Sequence, residues 1–68
     1  MRTKLKVFRV QRHMTQAQFA DKIGYRRQSY AAIETGKREG QQAFWNELQK
    51  AFDVPGATMW ELMQNDEE

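Results

Sequence analysis

Apolar residues recur at helical spacing in five segments of the chain, and short polar or glycine-containing stretches separate these segments. A spacing of three or four residues places apolar side chains on one face of a helix. Thr3 is placed to cap the first helix. The pattern predicts one all-α domain spanning residues 1–68, in which five short helices enclose a single core. The predicted helices cover about residues 3–12, 15–23, 27–34, 41–52 and 57–64, and residues 65–68 form an acidic tail that we expect to be frayed.

The second and third helices carry the clearest local signals. Thr15 and Gln18 form a capping-box pattern, in which each side chain satisfies a backbone amide at the start of a helix. Gly24 is suited to end that helix, because glycine readily adopts a left-handed turn conformation, and Gly36 closes the next helix. Two short helices joined by a tight turn form a helix-turn-helix, whose second helix can enter the major groove of DNA. The pattern therefore predicts that residues 15–36 bind DNA.

The charged residues are divided unevenly along the chain. Residues 1–40 contain ten lysines and arginines against three acidic residues, a net charge of +7, whereas residues 41–68 carry −5. The positive half contains the predicted helix-turn-helix, as expected if the partner is the phosphate backbone of a nucleic acid. The alternative is that the charges only keep a small protein in solution, so the division supports DNA binding without establishing it.

Composition argues against several other classes of protein. The chain has no cysteine and a single histidine, His13, without carboxylates at ligand spacing, so we expect neither a metal nor a cofactor. No glycine-rich phosphate loop or paired acid and base indicates an enzyme. No apolar run approaches the roughly 20 residues needed to span a bilayer, and basic residues interrupt the N-terminal apolar positions. We therefore expect a soluble, cytoplasmic protein without enzymatic activity.

A longer pattern extends these local signals across the chain. The run Thr-Gln-x-x-Phe-Ala-x-x-Ile-Gly begins at Thr15, and Glu-x-Gly begins at Glu34. With these motifs, residues 5–62 resemble the phage-repressor/Cro-like, Xre-type helix-turn-helix family. The resemblance implies a compact lambda-repressor-like DNA-binding fold and a transcription regulator from a bacterium or phage. It also rests on Leu5, Arg9, Met14, Tyr30, Ile33, Leu48, Phe52, Val54 and Leu62.

The resemblance assigns functions to individual positions. Arg27, Gln28 and Ala32 match positions that face base edges, and side-chain chemistry adds Arg26 and Ala31. Arginine can donate two hydrogen bonds to guanine, glutamine can pair with adenine, and alanine can contact a thymine methyl group. The implied phosphate contacts are Gln16, Ser29, Lys37 and Arg38, and the implied structural ion pair joins Arg9 to Glu34.

Three positions depart from the family pattern. Arg26 lies where the family usually has a serine or threonine that caps the recognition helix, a loss that costs about 1 kcal/mol. The helix dipole also repels an arginine there unless an anion is near, and either a DNA phosphate or a guanine edge could compensate. Tyr25 replaces a smaller residue, and Gly40 stands where proline is frequent.

The number of subunits that bind the DNA is predicted from the length of DNA that one recognition helix can contact. One recognition helix contacts only a few base pairs, so we expect a homodimer on a palindromic operator with half-sites about 34 Å apart. A repressor is favoured, and the alternative is an antitoxin-type DNA-binding protein whose C-terminal apolar surface also binds a toxin or another protein. Core packing could instead account for each of the apolar residues singly. The predicted dimer interface consists of Phe44, Met59, Trp60, Leu62 and Met63.

Overall fold

Five α-helices make up the fold in a computed structural model that describes residues 1–66, and no β-strand occurs within that range. The all-α, five-helix fold predicted from the sequence is thereby confirmed. Glu67 and Glu68, the end of the predicted acidic tail, lie outside the described residues. The helices are α1 (Thr3–Gln11), α2 (Gln16–Lys22), α3 (Arg27–Glu34), α4 (Gln42–Phe52) and α5 (Gly56–Met63).

The segment from α2 to α3 folds as its local sequence predicts. Thr15 Oγ1 accepts a hydrogen bond from the Gln18 amide at 3.1 Å, and Gln18 Oε1 accepts one from the Thr15 amide at 2.9 Å, which completes the capping box. Gly24 then has a φ of +77°, a left-handed conformation that costs other residues about 1–2 kcal/mol. After this turn α3 packs against α2, so the two helices form the predicted helix-turn-helix.

The start of α1 differs from the expectation. Thr3 is the first helical residue instead of the cap, and Arg2 at the cap position makes no side-chain capping hydrogen bond. The Asp66 carboxylate takes that role, because its Oδ1 accepts a hydrogen bond from the Thr3 amide at 3.0 Å. This bond lowers the pKa of Asp66. Asn65 also donates to the Gly36 carbonyl at 3.3 Å, so the prediction of a frayed tail is wrong for residues 65 and 66.

Aromatic side chains from four helices meet in the core. The rings of Phe19 and Phe52 stack with their centroids 4.6 Å apart, and Phe8 meets Phe52 edge-on at 5.7 Å. Tyr30 extends the cluster to α3 at 4.9 Å from Phe19. Such aromatic pairs each contribute about 0.5–1.5 kcal/mol beyond area burial. The inner face of α3 is thus fixed by packing, while its other face is left toward solvent.

Candidate nucleic-acid interface

The outer face of α3 carries the side chains predicted to contact bases. Arg26, Arg27 and Gln28 are exposed, and Ala31 and Ala32 are half-buried. On the opposite face the Tyr30 and Ile33 side chains are buried, at 0% and 5% exposure. Because a helix turns about 100° per residue, this burial directs the polar and small residues of α3 together toward solvent. The arrangement suits a helix that enters a groove.

The first turn of α3 has no side-chain cap. Arg26 occupies the cap position with an extended backbone, and its side chain makes no capping hydrogen bond. Its carbonyl accepts from the Tyr30 amide at 3.0 Å, so the helix begins there in the usual way. The amides that precede Tyr30 in this turn have no intrahelical acceptor. They leave the positive end of the helix dipole open to solvent beside two exposed arginines.

A buried carboxylate fixes α3 relative to α1 and α2. Glu34 is 1% exposed, and its oxygens accept hydrogen bonds from Arg9 Nε at 2.8 Å, the Tyr30 hydroxyl at 2.6 Å and Gln16 Nε2 at 2.8 Å. Burial alone would raise the pKa of Glu34, but these hydrogen bonds outweigh burial and hold the pKa below its usual value. The bond to Glu34 in turn raises the pKa of Arg9. The ion pair implied by the resemblance is thus present.

Gln16 therefore has a structural contact as well as its predicted phosphate contact. Its amide nitrogen donates to Glu34 from the first residue of α2, and the side chain is half-buried. Since an amide carries two donor hydrogens and an acceptor oxygen, one donor and the oxygen have no partner among residues 1–66. The Glu34 contact orients Gln16 at the start of α2.

Two of the three predicted phosphate contacts in α3 and the following loop line one groove. Ser29 and Arg38 border a cavity of about 410 Å³ between α3 and the start of α4, and Gln41 completes its rim. Gln41 is the cap residue of α4 and makes no side-chain capping hydrogen bond. The groove thus combines a hydroxyl, a guanidinium and an uncapped helix N-terminus, all of which can donate to a phosphate, with one carboxylate, that of Glu39, on its lining. Lys37 lies beside Arg38 with an exposed side chain.

The two remaining departures from the family pattern shape this groove. Tyr25 is half-buried and packs edge-on against Phe44 with ring centroids 5.1 Å apart, forming one wall. Gly40 has a φ of +79°, and a β-carbon there would lie 3.0 Å from Trp45 Nε1. Proline cannot adopt a positive φ, so the loop takes a path here that requires glycine.

Arg2 is a functional candidate that the local pattern does not indicate. It is 2% exposed, although the sequence shows it only as one of several basic residues near the N-terminus. Arg9 is also buried, so only eight of the ten lysines and arginines in residues 1–40 lie on the surface. Arg12, although exposed, lies with its guanidinium 3.5 Å from the Phe8 ring centroid. The number of basic side chains available to contact a nucleic acid is thus smaller than the number of lysines and arginines in the sequence.

The predicted dimer interface does not form one exposed surface. Phe44, Met59 and Leu62 are 1%, 7% and 3% exposed within the monomer, so their assignment to an interface is wrong. A domain of this size needs most of its large apolar residues to build a core. Met63 is half-buried, whereas Trp60 is 68% exposed. Two further large apolar side chains, Val7 and Val10, are also exposed, at 45% and 51%.

Within residues 1–66, no cluster of three or more His, Cys, Asp or Glu side chains is arranged to hold a metal ion. None of the helices described there has the length and apolar character required to cross a membrane.

Comparison with known proteins identifies the family. A family model described as helix-turn-helix matches residues 5–58, a segment that runs from α1 into α5 and contains the whole groove and the outer face of α3. Comparisons with curated proteins and with solved structures gave no match. The matched segment covers most of the chain, and the structure places a helix-turn-helix within it. The chain therefore belongs to the Cro/C1-type, Xre-like helix-turn-helix family of DNA-binding transcription regulators.

Proposed function

We propose that this protein binds a specific double-stranded DNA site by inserting α3 into the major groove, and that it represses transcription from that site as a homodimer on a palindromic operator. The main support for this proposal is the arrangement of side chains on the outer face of α3. Its arginines and glutamine are exposed, its alanines are half-buried on the same face, and the buried Glu34 network holds the helix in one orientation. A rigid helix with donors on one face is what direct contact with base edges requires. Repression needs only occupancy of the site.

The side chains of α3 suggest the bases at the centre of each half-site. Arg27 can donate two hydrogen bonds to guanine O6 and N7, and Gln28 can pair with adenine N6 and N7. Ala31 and Ala32 offer apolar contact to a thymine methyl group. Arg26, at the uncapped start of the helix, can donate hydrogen bonds to either a phosphate or a guanine. We therefore expect a half-site that contains guanine.

The phosphate contacts surround this face. Ser29, Arg38 and the start of α4 line the groove of about 410 Å³, where we expect a backbone phosphate of the DNA to bind. Lys37 adds a second exposed cation in the loop, and Gln16 approaches from the start of α2. Contacts of this type set the register of the protein on DNA and make affinity depend on salt.

Selection of bound sequences from a random duplex pool tests the proposal. We expect enrichment of a two-fold symmetric site whose half-sites are centred about 10 base pairs apart. Recovery of unrelated sequences, with equal affinity for random duplex, would show that the outer face of α3 does not discriminate between bases.

Dimerisation is proposed through α5. Trp60 is the most exposed large apolar side chain in the described chain, and Met63 follows it by three residues on the same helix face. Exposed tryptophans of this kind are enriched at interfaces. Sedimentation that shows a monomer at high micromolar concentration, together with binding to a single half-site, would contradict the dimer.

An antitoxin-type protein is the second candidate, and the same exposed Trp60 favours it. In that case the α5 surface would hold a toxin or another protein while α3 binds DNA. A small toxin gene beside this one, or a second polypeptide that co-purifies through Trp60, would support this candidate over the simple repressor. In either case the site of action is the compartment that contains the DNA, which favours the cytoplasm.

A further inference from the structure

The Arg2 guanidinium is buried among backbone carbonyls from three separate segments. Its exposure is 2%, and its charged plane lies 5.5 Å from the centroid of the Trp45 ring. The side chain ties together the end of α3, the loop that follows α3, and the end of α5. It donates to the carbonyls of Ile33 at 2.6 Å, Arg38 at 2.9 Å, Glu39 at 3.0 Å and Met63 at 3.0 Å.

These acceptors account for a buried positive charge. Ile33 and Met63 lie in the last turns of α3 and α5, where carbonyls lack intrahelical donors and the helix dipole is negative. The nearest carboxylate, on Glu39, is 4.0 Å away and almost fully exposed, so water screens it. Burial lowers the pKa of Arg2, while Glu39 acts in the opposite direction. The carbonyls are therefore the main partners of this cation.

The loop over residues 36–39 is held by this side chain and by two other sets of contacts. The amides of Lys37 and Arg38 both donate to the Ala32 carbonyl, at 2.9 Å and 3.1 Å. Asn65 donates to the Gly36 carbonyl at 3.3 Å. The backbone of the loop is thus fixed, while the Lys37 and Arg38 side chains are exposed. Long basic side chains lose less entropy on binding when their backbone is already ordered.

We propose that Arg2 is a positioning residue for DNA binding, which fixes the loop over residues 36–39 so that Lys37 and Arg38 meet the DNA phosphates. This inference rests on the proposed DNA-binding function. Arg2 is too buried to contact a phosphate itself, so its influence on DNA affinity passes through the loop. Because the same guanidinium holds the Met63 carbonyl, it also connects the DNA-contacting loop to the end of α5.

Hydrogen exchange without DNA tests the first half of the proposal. Arg2→Lys keeps the charge, but a single ammonium with three donors cannot serve four carbonyls arranged around a guanidinium. We expect the Lys37 and Arg38 amides to exchange at least about 10-fold faster in this variant, as in local opening. Phe52→Leu, which weakens packing at the far end of α4, is the control for general loss of stability. If the Lys37 and Arg38 amides exchange no faster in Arg2→Lys than in Phe52→Leu, the proposal is overturned.

The salt dependence of DNA binding tests the second half. Each lost phosphate contact lowers the slope of log affinity against log salt by about 0.9, so Arg2→Lys should lower the slope by up to about 2, and Phe52→Leu should leave it unchanged. At moderate salt we expect affinity for the selected operator to fall about 10-fold in Arg2→Lys. In a Lys37→Ala/Arg38→Ala background the same substitution should add less than two-fold. If Arg2→Lys lowers operator affinity about 10-fold in that background as well, the proposal is overturned.

Two further outcomes keep the tests separate. If the unaltered protein binds no duplex, the proposed function fails, while hydrogen exchange still decides whether Arg2 orders the loop. If Arg2→Lys does not fold, Asn65→Ala takes its place as the test variant, because it removes exposed contacts to the Gly36 carbonyl and the N-terminal ammonium and leaves Arg2 intact. It should shift loop exchange and the salt slope in the same directions by smaller amounts. No change in either quantity would overturn the proposal.

Discussion

Removal of Arg9 should reverse the pH dependence of stability. In the intact protein the pKa of Glu34 is lower in the folded state than in the unfolded chain, where it is about 4.3. Its contribution to the free energy of unfolding is therefore complete above that pH and is lost as the pH falls through the folded pKa. Arg9→Met removes hydrogen bonds of 2.8 Å and 3.4 Å from a carboxylate that stays buried. Burial should then dominate and raise the folded pKa above the unfolded value.

The expected magnitude is large for a protein of this size. Loss of one partner from a buried ion pair costs about 3–5 kcal/mol. At roughly 0.05–0.15 kcal/mol per residue, 68 residues provide a total stability of about 3–10 kcal/mol. Arg9→Met should thus be close to its unfolding threshold at pH 7. It should become more stable, or refold, as the pH is lowered toward 5, because its folded Glu34 takes up a proton more readily than the unfolded chain does.

Urea denaturation followed by circular dichroism between pH 4.5 and 7.5 measures this reversal. The double variant Arg9→Met/Glu34→Gln is the matched control, because it lacks the titrating carboxyl and should lose the reversal. A decline in the stability of Arg9→Met on acidification, parallel to that of the intact protein, would refute the reasoning. It would mean that the remaining hydrogen bonds from Tyr30 and Gln16 suffice to keep Glu34 ionised.

The other predictions concern DNA contacts, association and the loop. Arg27→Ala should weaken operator binding by about 1–3 kcal/mol and relax the preference at one base pair, whereas Lys37→Ala should weaken binding to all duplexes alike. If Arg27→Ala instead weakens binding to operator and random duplex equally, Arg27 does not contact a base. Trp60→Glu should shift sedimentation toward monomer and weaken operator binding, but it should leave the melting temperature unchanged at dilutions where the intact protein is also monomeric, since the side chain is 68% exposed. Gly40→Ala should lower the melting temperature more than Gly24→Ala, because both have positive φ but only the Gly40 β-carbon would meet Trp45.

The helices and the helix-turn-helix could be predicted because their signals are local. Thr15 and Gln18 are three residues apart, and the capping box that they form is complete in the structure. Gly24 has the positive φ that its position suggested. Each of these features depends on a few consecutive residues, so a sequence pattern contains nearly all the information needed.

Contacts between distant residues could not be predicted in this way. Arg2 bonds to Met63, 61 residues later, and Asp66 caps α1 from 63 residues away. Nothing in the spacing around Arg2 distinguishes it from the exposed Lys4 and Lys6. Likewise, apolar character alone did not indicate that Met59 is buried while Trp60, the next residue on the same short helix, is exposed.

The two tryptophans lie in opposite environments, and this gives the protein a pair of built-in optical probes. Trp45 is 3% exposed, lies under the Arg2 guanidinium and touches the Gly40 turn, so its emission should be blue-shifted and should respond when the loop loosens. Trp60 is 68% exposed on α5, so its emission should be red-shifted, open to quenching by iodide, and protected when a second chain or another protein covers it. Replacing either indole with phenylalanine would leave a single emitter. Loop ordering could then be followed in the variant that keeps Trp45, and subunit association in the variant that keeps Trp60, without a dye or an added label.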